Sequence, residues 1–173
     1  KVFPQLSDYP GRTLKAQINS IICFGFKVLG DEGARCFNAW DYAEWDGNVN
    51  DDKALVSDAY EILKNADCIV TFNGKKFDWP FLQTRLLRHR LDPLHKIPHV
   101  DCCKLSKANL FLFNNRLNNV AKYLADAEKR EHEGWEMWVK THGRDPLAMS
   151  EMSAYCAQDV IALEEVFKVL RPF

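Results

Sequence analysis

The sequence has 173 residues, of which 47% are hydrophobic, and a formal net charge of −1 at pH 7. This length fits one domain spanning residues 1–173, and the apolar fraction is ordinary for a packed core. The longest apolar run, from Ile21 to Phe26, has only the length of a strand, so we expect no membrane-spanning segment and no membrane partner.

The small net charge conceals three blocks of different sign. Residues 1–74 carry 7 Lys+Arg and 11 Asp+Glu, residues 75–122 carry 10 and 3, and residues 123–173 carry 6 and 10. The net charges are therefore −4, +7 and −4, which sum to −1. A basic middle block suits the binding of a polyanion, although a solvated helix face would also explain it.

Six widely spaced cysteines lie mostly inside apolar segments. This pattern is typical of reduced thiols, and the sequence from Lys1 to Pro4 does not resemble a signal peptide, so we expect a cytoplasmic protein. The adjacent Cys102 and Cys103 have a spacing that fits no standard zinc-ligand pair.

The first half of the chain predicts a hairpin followed by a helix. An apolar strand over 18–29 ends at glycines typical of a hairpin turn, and a second strand over 34–40 follows. A polar loop continues to residue 50. Asp51 and Asp52 then open a helix whose apolar residues recur at helical spacing, with both acids favourably placed at its N-terminus.

The central stretch predicts a strand, a tight turn and a helix. β-Branched residues favour a strand over 68–72, Gly74 permits a sharp turn, and a helix is expected over 79–90 with Asp78 as a plausible N-cap. The side chains of Asn73, Phe77 and Asp78 would then lie at the carboxyl end of a buried strand, where ligands bind in α/β sheets.

The last third predicts a short strand and three helices. The strand covers 98–101, helices follow over 104–113 and from Leu117, and residues 126–145 show no clear period. The final helix, over 149–170, places Tyr155 and Asp159 one turn apart, so that their side chains project together. The order of elements indicates a mixed α/β sheet flanked by helices.

Two acids on separate elements, Asp78 and Asp159, suit metal-assisted cleavage of a phosphodiester bond, because Mg²⁺ prefers carboxylate, phosphate and water oxygens. The hydroxyl of Tyr155 would orient the attacking water, Phe77 would stack on terminal bases, and Asn73 would bind the strand. Each residue also has a structural interpretation: Asp78 and Asn73 as caps of a helix and a turn, Tyr155 and Phe77 as packing residues. Candidates for phosphate contact share a positive charge: Lys75, Lys76, Arg85, Arg88, Lys104, Lys107 and Arg116.

The patterns Asn73-x-x-x-Phe77-Asp78 and Tyr155-x-x-x-Asp159 resemble the second and third motifs of the DEDDy 3′–5′ exonucleases, in the branch related to proofreading domains of family B DNA polymerases. The resemblance covers about residues 18–173. It implies a ribonuclease H-like fold and a hydrolase that uses two Mg²⁺ or Mn²⁺ ions at the 3′ end of single-stranded DNA. Asp78 and Asp159 would be metal ligands and Tyr155 would be catalytic. Asn73, Lys75, Lys76, Phe77 and Arg116 are the candidates for substrate contact.

The first motif of that family, Asp-x-Glu on the first strand, does not occur between Lys1 and Asn19. We therefore expect the first strand to lie upstream of Lys1; the alternative is a catalytically inactive relative that binds nucleic acid. With only part of the metal cage, this chain would bind divalent ions weakly and cleave slowly or not at all. The sequence leaves four alternatives open. The substrate could be RNA, and the chain could belong to a larger polypeptide. It could bind a replication or repair partner, or its basic block could bind an acidic protein.

Overall fold

A computed structural model describes residues 20–45, 51–127 and 135–173 of the chain, without the side chains of Trp135 and His142. Parts of the predicted first strand, of the 41–50 loop and of the 126–145 segment lie outside these residues. Within them, no helix is both long enough and apolar enough to cross a membrane. All six cysteines are free thiols, and Cys68 is exposed.

The described part of the chain begins with the predicted hairpin. Strand β1 (Cys23–Phe26) pairs antiparallel with β2 (Arg35–Asn38), so that Cys23 faces Asn38 and Phe26 faces Arg35. Gly30 and Gly33 in the connecting turn have φ values of +95° and +72°, a conformation that glycine adopts at little cost. The hairpin is confirmed, with strands shorter than predicted.

A parallel pair of strands forms the second sheet. Helix α1 (Lys53–Leu63) precedes strand β3 (Ile69–Thr71), and helix α2 (Asp78–Arg88) then connects β3 to β4 (His99–Asp101). Ile69 faces His99 and Thr71 faces Asp101 in this parallel register. The helix is the crossover that a parallel pair requires.

Four helices complete the described chain: α3 (Cys102–Asn109), α4 (Leu117–Ala125), α5 (Trp135–His142) and α6 (Pro146–Leu170). The prediction of a helix over 104–113 is wrong at both ends, because α3 starts directly after β4 and stops at Asn109. Helix α5 lies where the sequence showed no clear period. Helix α6 starts earlier than predicted, because Asp145 accepts a hydrogen bond from the Ala148 N–H at 2.9 Å and Pro146 occupies the first turn.

Helix α6 is the element around which the core forms. It packs against β1, β2, α3, α4 and α5. Its N-terminal half shares a cluster with Met137 of α5, and its C-terminal half shares one with Val120 and Ala121 of α4. The predicted mixed α/β architecture is confirmed.

A buried ion pair fixes the residues just before β1 to the two helices of the first half. Arg85 donates to Asp52 from Nε at 2.9 Å and from Nη2 at 2.5 Å, and the Ile21 N–H donates to the same carboxylate at 2.7 Å. His89 Nε2 lies 2.5 Å from Asp52 Oδ1. The interpretation of Arg85 as a phosphate contact or part of a solvated face is therefore wrong, because its guanidinium is buried against Asp52.

The two sheets are not hydrogen-bonded to each other in the described part of the chain. A cavity of about 620 Å³, which we call the groove, is lined by all of β1, by all of β3 and by residues of α6. Its lining combines apolar strand residues with the charged side chains of Lys27, Asp78, Asp159 and Glu164.

Candidate active site

Two carboxylates from separate elements line the groove. Asp78 begins α2, and Asp159 lies on α6, 81 positions later in the sequence. Thr71 of β3 and His99 of β4 line the same cavity. The two acids that the sequence motifs singled out thus line the same cavity.

The turn after β3 places Asp78. Asn73 has a φ of +61°, and a Cβ added to Gly74 would lie 2.5 Å from Thr71 Cβ, so only glycine fits there. The Gly74 N–H donates to Thr71 Oγ1 at 3.2 Å, and this hydroxyl also lies 2.7 Å from His99 Nε2. Asp78 is the first residue of α2, and Phe77 is the N-cap, so the prediction of Asp78 as the cap is wrong by one residue.

Asp101 fixes this turn from the neighbouring strand. Its buried carboxylate accepts hydrogen bonds from the N–H groups of Asn73 at 2.8 Å, Lys75 at 3.2 Å and Cys103 at 3.1 Å. The sequence motifs assigned this residue no role. An aspartate that ends a strand and directly precedes a helix is an N-cap signal, and that signal could have found it.

Close packing of β1 on α6 places Asp159. A Cβ added to Gly25 would lie 2.9 Å from both the carbonyl oxygen and the Sγ of Cys156, and 3.0 Å from Val160 Cγ2. The absence of a side chain at Gly25 therefore lets the strand approach the turn of the helix that carries Asp159.

Tyr155 is coupled to Asp159 across one turn of α6. Burial raises the pKa of the Tyr155 hydroxyl above its ordinary value, and the negative charge of Asp159 and a hydrogen bond to it raise the pKa further. Tyr155 packs in the same cluster as Met152 and Cys156. Its hydroxyl is therefore protonated at neutral pH and donates to the carboxylate.

The carboxylates suit part of a metal site. Oδ2 of Asp78 and Oδ1 of Asp159 are buried oxygens that accept no hydrogen bond from the described residues, while both residues have other interactions. No group of three or more His, Cys, Asp or Glu in residues 20–45, 51–127 and 135–173 is arranged to hold a metal ion. Two carboxylates facing one cavity still fit Mg²⁺, which commonly takes one or two of them together with phosphate and water oxygens.

The predicted substrate residues flank the groove and are not part of its lining. Four of them lie on the turn between β3 and α2: Asn73, Lys75, Lys76 and Phe77. The ring of Phe77 is 56% exposed, with Lys76 Nζ 5.8 Å from its centroid, so it is not a core residue. Arg116 is exposed and precedes Leu117, which lines the groove.

An ion pair that the sequence analysis missed also lines the groove. Lys27 Nζ lies 2.5 Å from Glu164 Oε2, and the hydrogen bond from Lys27 lowers the pKa of this glutamate. The partners are 137 residues apart, so no local pattern could have indicated the pair.

Comparison with known families supports the broader part of the sequence-based resemblance. The model of the RNase_H superfamily matches residues 12–171 of the chain. No match to a curated protein was found. The match identifies the superfamily and does not identify the exonuclease branch.

Proposed function

The chain belongs to the RNase_H superfamily, and from that premise we propose that it is a metal-dependent 3′–5′ exonuclease acting on single-stranded DNA. The superfamily indicates nuclease chemistry. One observation carries the finer proposal: Asp78 and Asp159, which stand at the positions of two exonuclease motifs, line one groove.

Asp78 and Asp159 would hold Mg²⁺ or Mn²⁺. Such ions, when bound, supply an activated water and stabilise the attacking and leaving oxygens of the phosphodiester. The chain's own residues have separate tasks. Tyr155, held protonated, donates to Asp159 and orients the attacking water. Lys75, Lys76 and Arg116 bind phosphates, while Asn73 and Phe77 contact the terminal nucleotides.

We also propose that a further strand completes the site. Within residues 20–45, 51–127 and 135–173, strands β1 and β3 each pair with a single neighbour, and both line the groove. A strand lying between them, about 4.8 Å from each, would join the two sheets into one. The occupant we propose is a strand that carries the Asp-x-Glu pair of the first exonuclease motif.

The test is an assay with 5′-labelled single-stranded DNA and Mn²⁺. We would compare this chain with one lengthened ahead of Lys1 by an apolar strand bearing Asp-x-Glu. A ladder that shortens from the 3′ end is expected from the lengthened chain, and Asp159→Asn should abolish it. No ladder from either chain, or an unchanged ladder in Asp159→Asn, would overturn the proposal. A parallel assay on RNA distinguishes the substrates.

The second candidate is a non-catalytic module that binds nucleic acid. The absence of Asp-x-Glu from residues 1–19 favours it. It predicts DNA binding that weakens with salt but is unaffected by EDTA, with no cleavage by the lengthened chain.

A further inference from the structure

The segment between α3 and α4 exposes two phenylalanines. Phe111 is 88% exposed and Phe113 is 98% exposed, and their rings form an edge-to-face pair with centroids 5.4 Å apart. Large aromatic side chains are usually buried, and an exposed apolar pair commonly marks a binding surface.

Core contacts and hydrogen bonds hold this segment in place, so the exposure of the two rings belongs to the folded structure. Leu110 and Leu112, which alternate with the phenylalanines, pack against the core cluster that contains Leu117 and Val120. Asn115 donates to the Leu112 carbonyl at 3.2 Å and accepts from Ser106 Oγ at 3.0 Å. The leucines hold the segment down while the phenylalanines point to solvent.

The stretch of chain that contains the pair carries one sign of charge. Residues 102–125 contain four basic residues and no Asp or Glu. The four are all exposed: Lys104, Lys107, Arg116 and Lys122. Cores of protein–protein interfaces are depleted of lysine, whereas aromatic side chains among basic ones are typical of surfaces that bind single-stranded nucleic acid.

The pair also lies close to the groove. Phe113 is four residues before Leu117, which lines the groove, so their Cα atoms are at most about 14 Å apart. Phe111 and Lys107 are also four positions apart, so their Cα atoms are likewise at most about 14 Å apart. A short oligonucleotide could therefore contact the pair, the basic residues and the groove together.

We propose that Phe111 and Phe113 form a stacking platform for the bases of a single-stranded nucleic acid, whose phosphates are bound by Lys104, Lys107 and Arg116. This inference deepens the proposed function and rests on it, because the platform would hold the strand whose end enters the groove. Stacking needs only the faces of the bases, so the platform would show little sequence preference.

The test is fluorescence anisotropy with a 5′-fluorescein-labelled single-stranded oligothymidylate in EDTA. The double variant Phe111→Ala/Phe113→Ala should bind roughly 30-fold more weakly or worse, because each stacked base contributes strongly. Phe111→Trp/Phe113→Trp should retain the affinity and show quenched indole fluorescence on binding. Leu147→Ala is the matched control: this exposed side chain lies in the first turn of α6, at the end away from α4, and its loss should leave binding unchanged.

Three outcomes would overturn the platform. The first is equal affinity in the alanine variant and in the unmodified chain, and the second is no binding by the unmodified chain at low salt. The third is full affinity in Phe111→Leu/Phe113→Leu, which would show that apolar surface and not stacking matters and would assign the pair to a protein partner. In the variant Lys104→Ala/Lys107→Ala, the slope of log K for DNA binding against log salt concentration should become shallower by about 1.4. Since EDTA prevents metal-dependent turnover, these results do not depend on whether the chain cleaves DNA.

Discussion

Two regions of this molecule place aspartates in opposite surroundings. At Asp52, a guanidinium and a backbone N–H surround the carboxylate at 2.5–2.9 Å, and the cluster ties the residues just before β1 to two helices. In the groove, Asp78 and Asp159 lie beside a cavity, and one buried oxygen of each accepts no hydrogen bond from the described residues. Burial alone therefore does not identify a functional carboxylate; the atoms that surround it do.

This contrast predicts that activity and stability separate by region. A carboxylate surrounded by donors stabilises the fold, and removal of one partner leaves a buried charge. Carboxylates that face a cavity contribute little to folding, since functional sites commonly have a cost in stability. The predictions below run from the largest expected effect to the smallest.

The largest effect is expected at Asp159. In the chain lengthened with the Asp-x-Glu strand, Asp159→Asn should reduce Mn²⁺-dependent cleavage by about 10³-fold, the equivalent of about 4 kcal/mol of transition-state stabilisation. The free energy of unfolding, measured in urea, should change by less than about 1 kcal/mol. A large loss of stability with retained cleavage would reverse the roles assigned to the two regions.

The opposite pattern is expected at Arg85. Arg85→Met leaves the Asp52 carboxylate buried beside an apolar side chain, so the free energy of unfolding should fall by about 3–5 kcal/mol. Lys140→Met, which removes a solvent-exposed ion pair with Glu136, is the control and should cost less than about 1 kcal/mol. Equal losses of unfolding free energy in the two variants would show that the buried ion pair stabilises the fold no more than the exposed one.

A smaller effect is expected where β1 meets α6. Gly25→Ala introduces a Cβ 2.9 Å from the Cys156 carbonyl oxygen, so strand and helix must move apart, and we expect a loss of about 1–3 kcal/mol in urea unfolding. Because this contact places Asp159, cleavage per folded molecule should fall too. Unchanged cleavage would show that the site tolerates a shift of α6.

The smallest effect concerns alkaline pH. The folded chain holds the Tyr155 proton more tightly than the unfolded chain, so this contribution to stability is complete below the unfolded pKa of about 10 and is lost as the pH rises above it. The loss is at most about 1.4 kcal/mol per pH unit. Urea unfolding at pH 8 and pH 10.5 should show a smaller pH dependence in Tyr155→Phe than in the unmodified chain. The exposed Tyr123→Phe is the control, and identical profiles for both variants would contradict the coupling to Asp159.

Local patterns predicted much of the fold. The glycines at 30 and 33 indicated the hairpin, and the spacing of Tyr155 and Asp159 indicated their shared helix face. Partners distant in sequence were not predictable in this way. The sequence predicted Arg85 as a surface charge because its partner Asp52 lies 33 residues away. No residue near Lys27 in the sequence indicated its ion pair with Glu164.

The elements of the candidate site were predictable for the same reason. Asp78 and Asp159 each belong to a local motif, and the resemblance to the exonuclease motifs implied a shared metal site; the structure has both residues in the lining of one groove. The role of Asp101 was only partly predictable. Its donors on Cys103 and Lys104 follow directly in sequence and form the N-cap pattern. Its donors on Asn73 and Lys75 become neighbours only after β4 pairs with β3. The groove was not predicted, because a space between two sheets has no sequence pattern.

The most direct test of the central claim is a Mn²⁺ titration of this chain followed by electron paramagnetic resonance of the free ion. We predict weak but measurable binding that is lost in Asp78→Asn/Asp159→Asn and retained in the exposed control Asp92→Asn. Equal binding by the double variant and the unmodified chain would show that the groove carboxylates do not hold the metal, and would contradict the account.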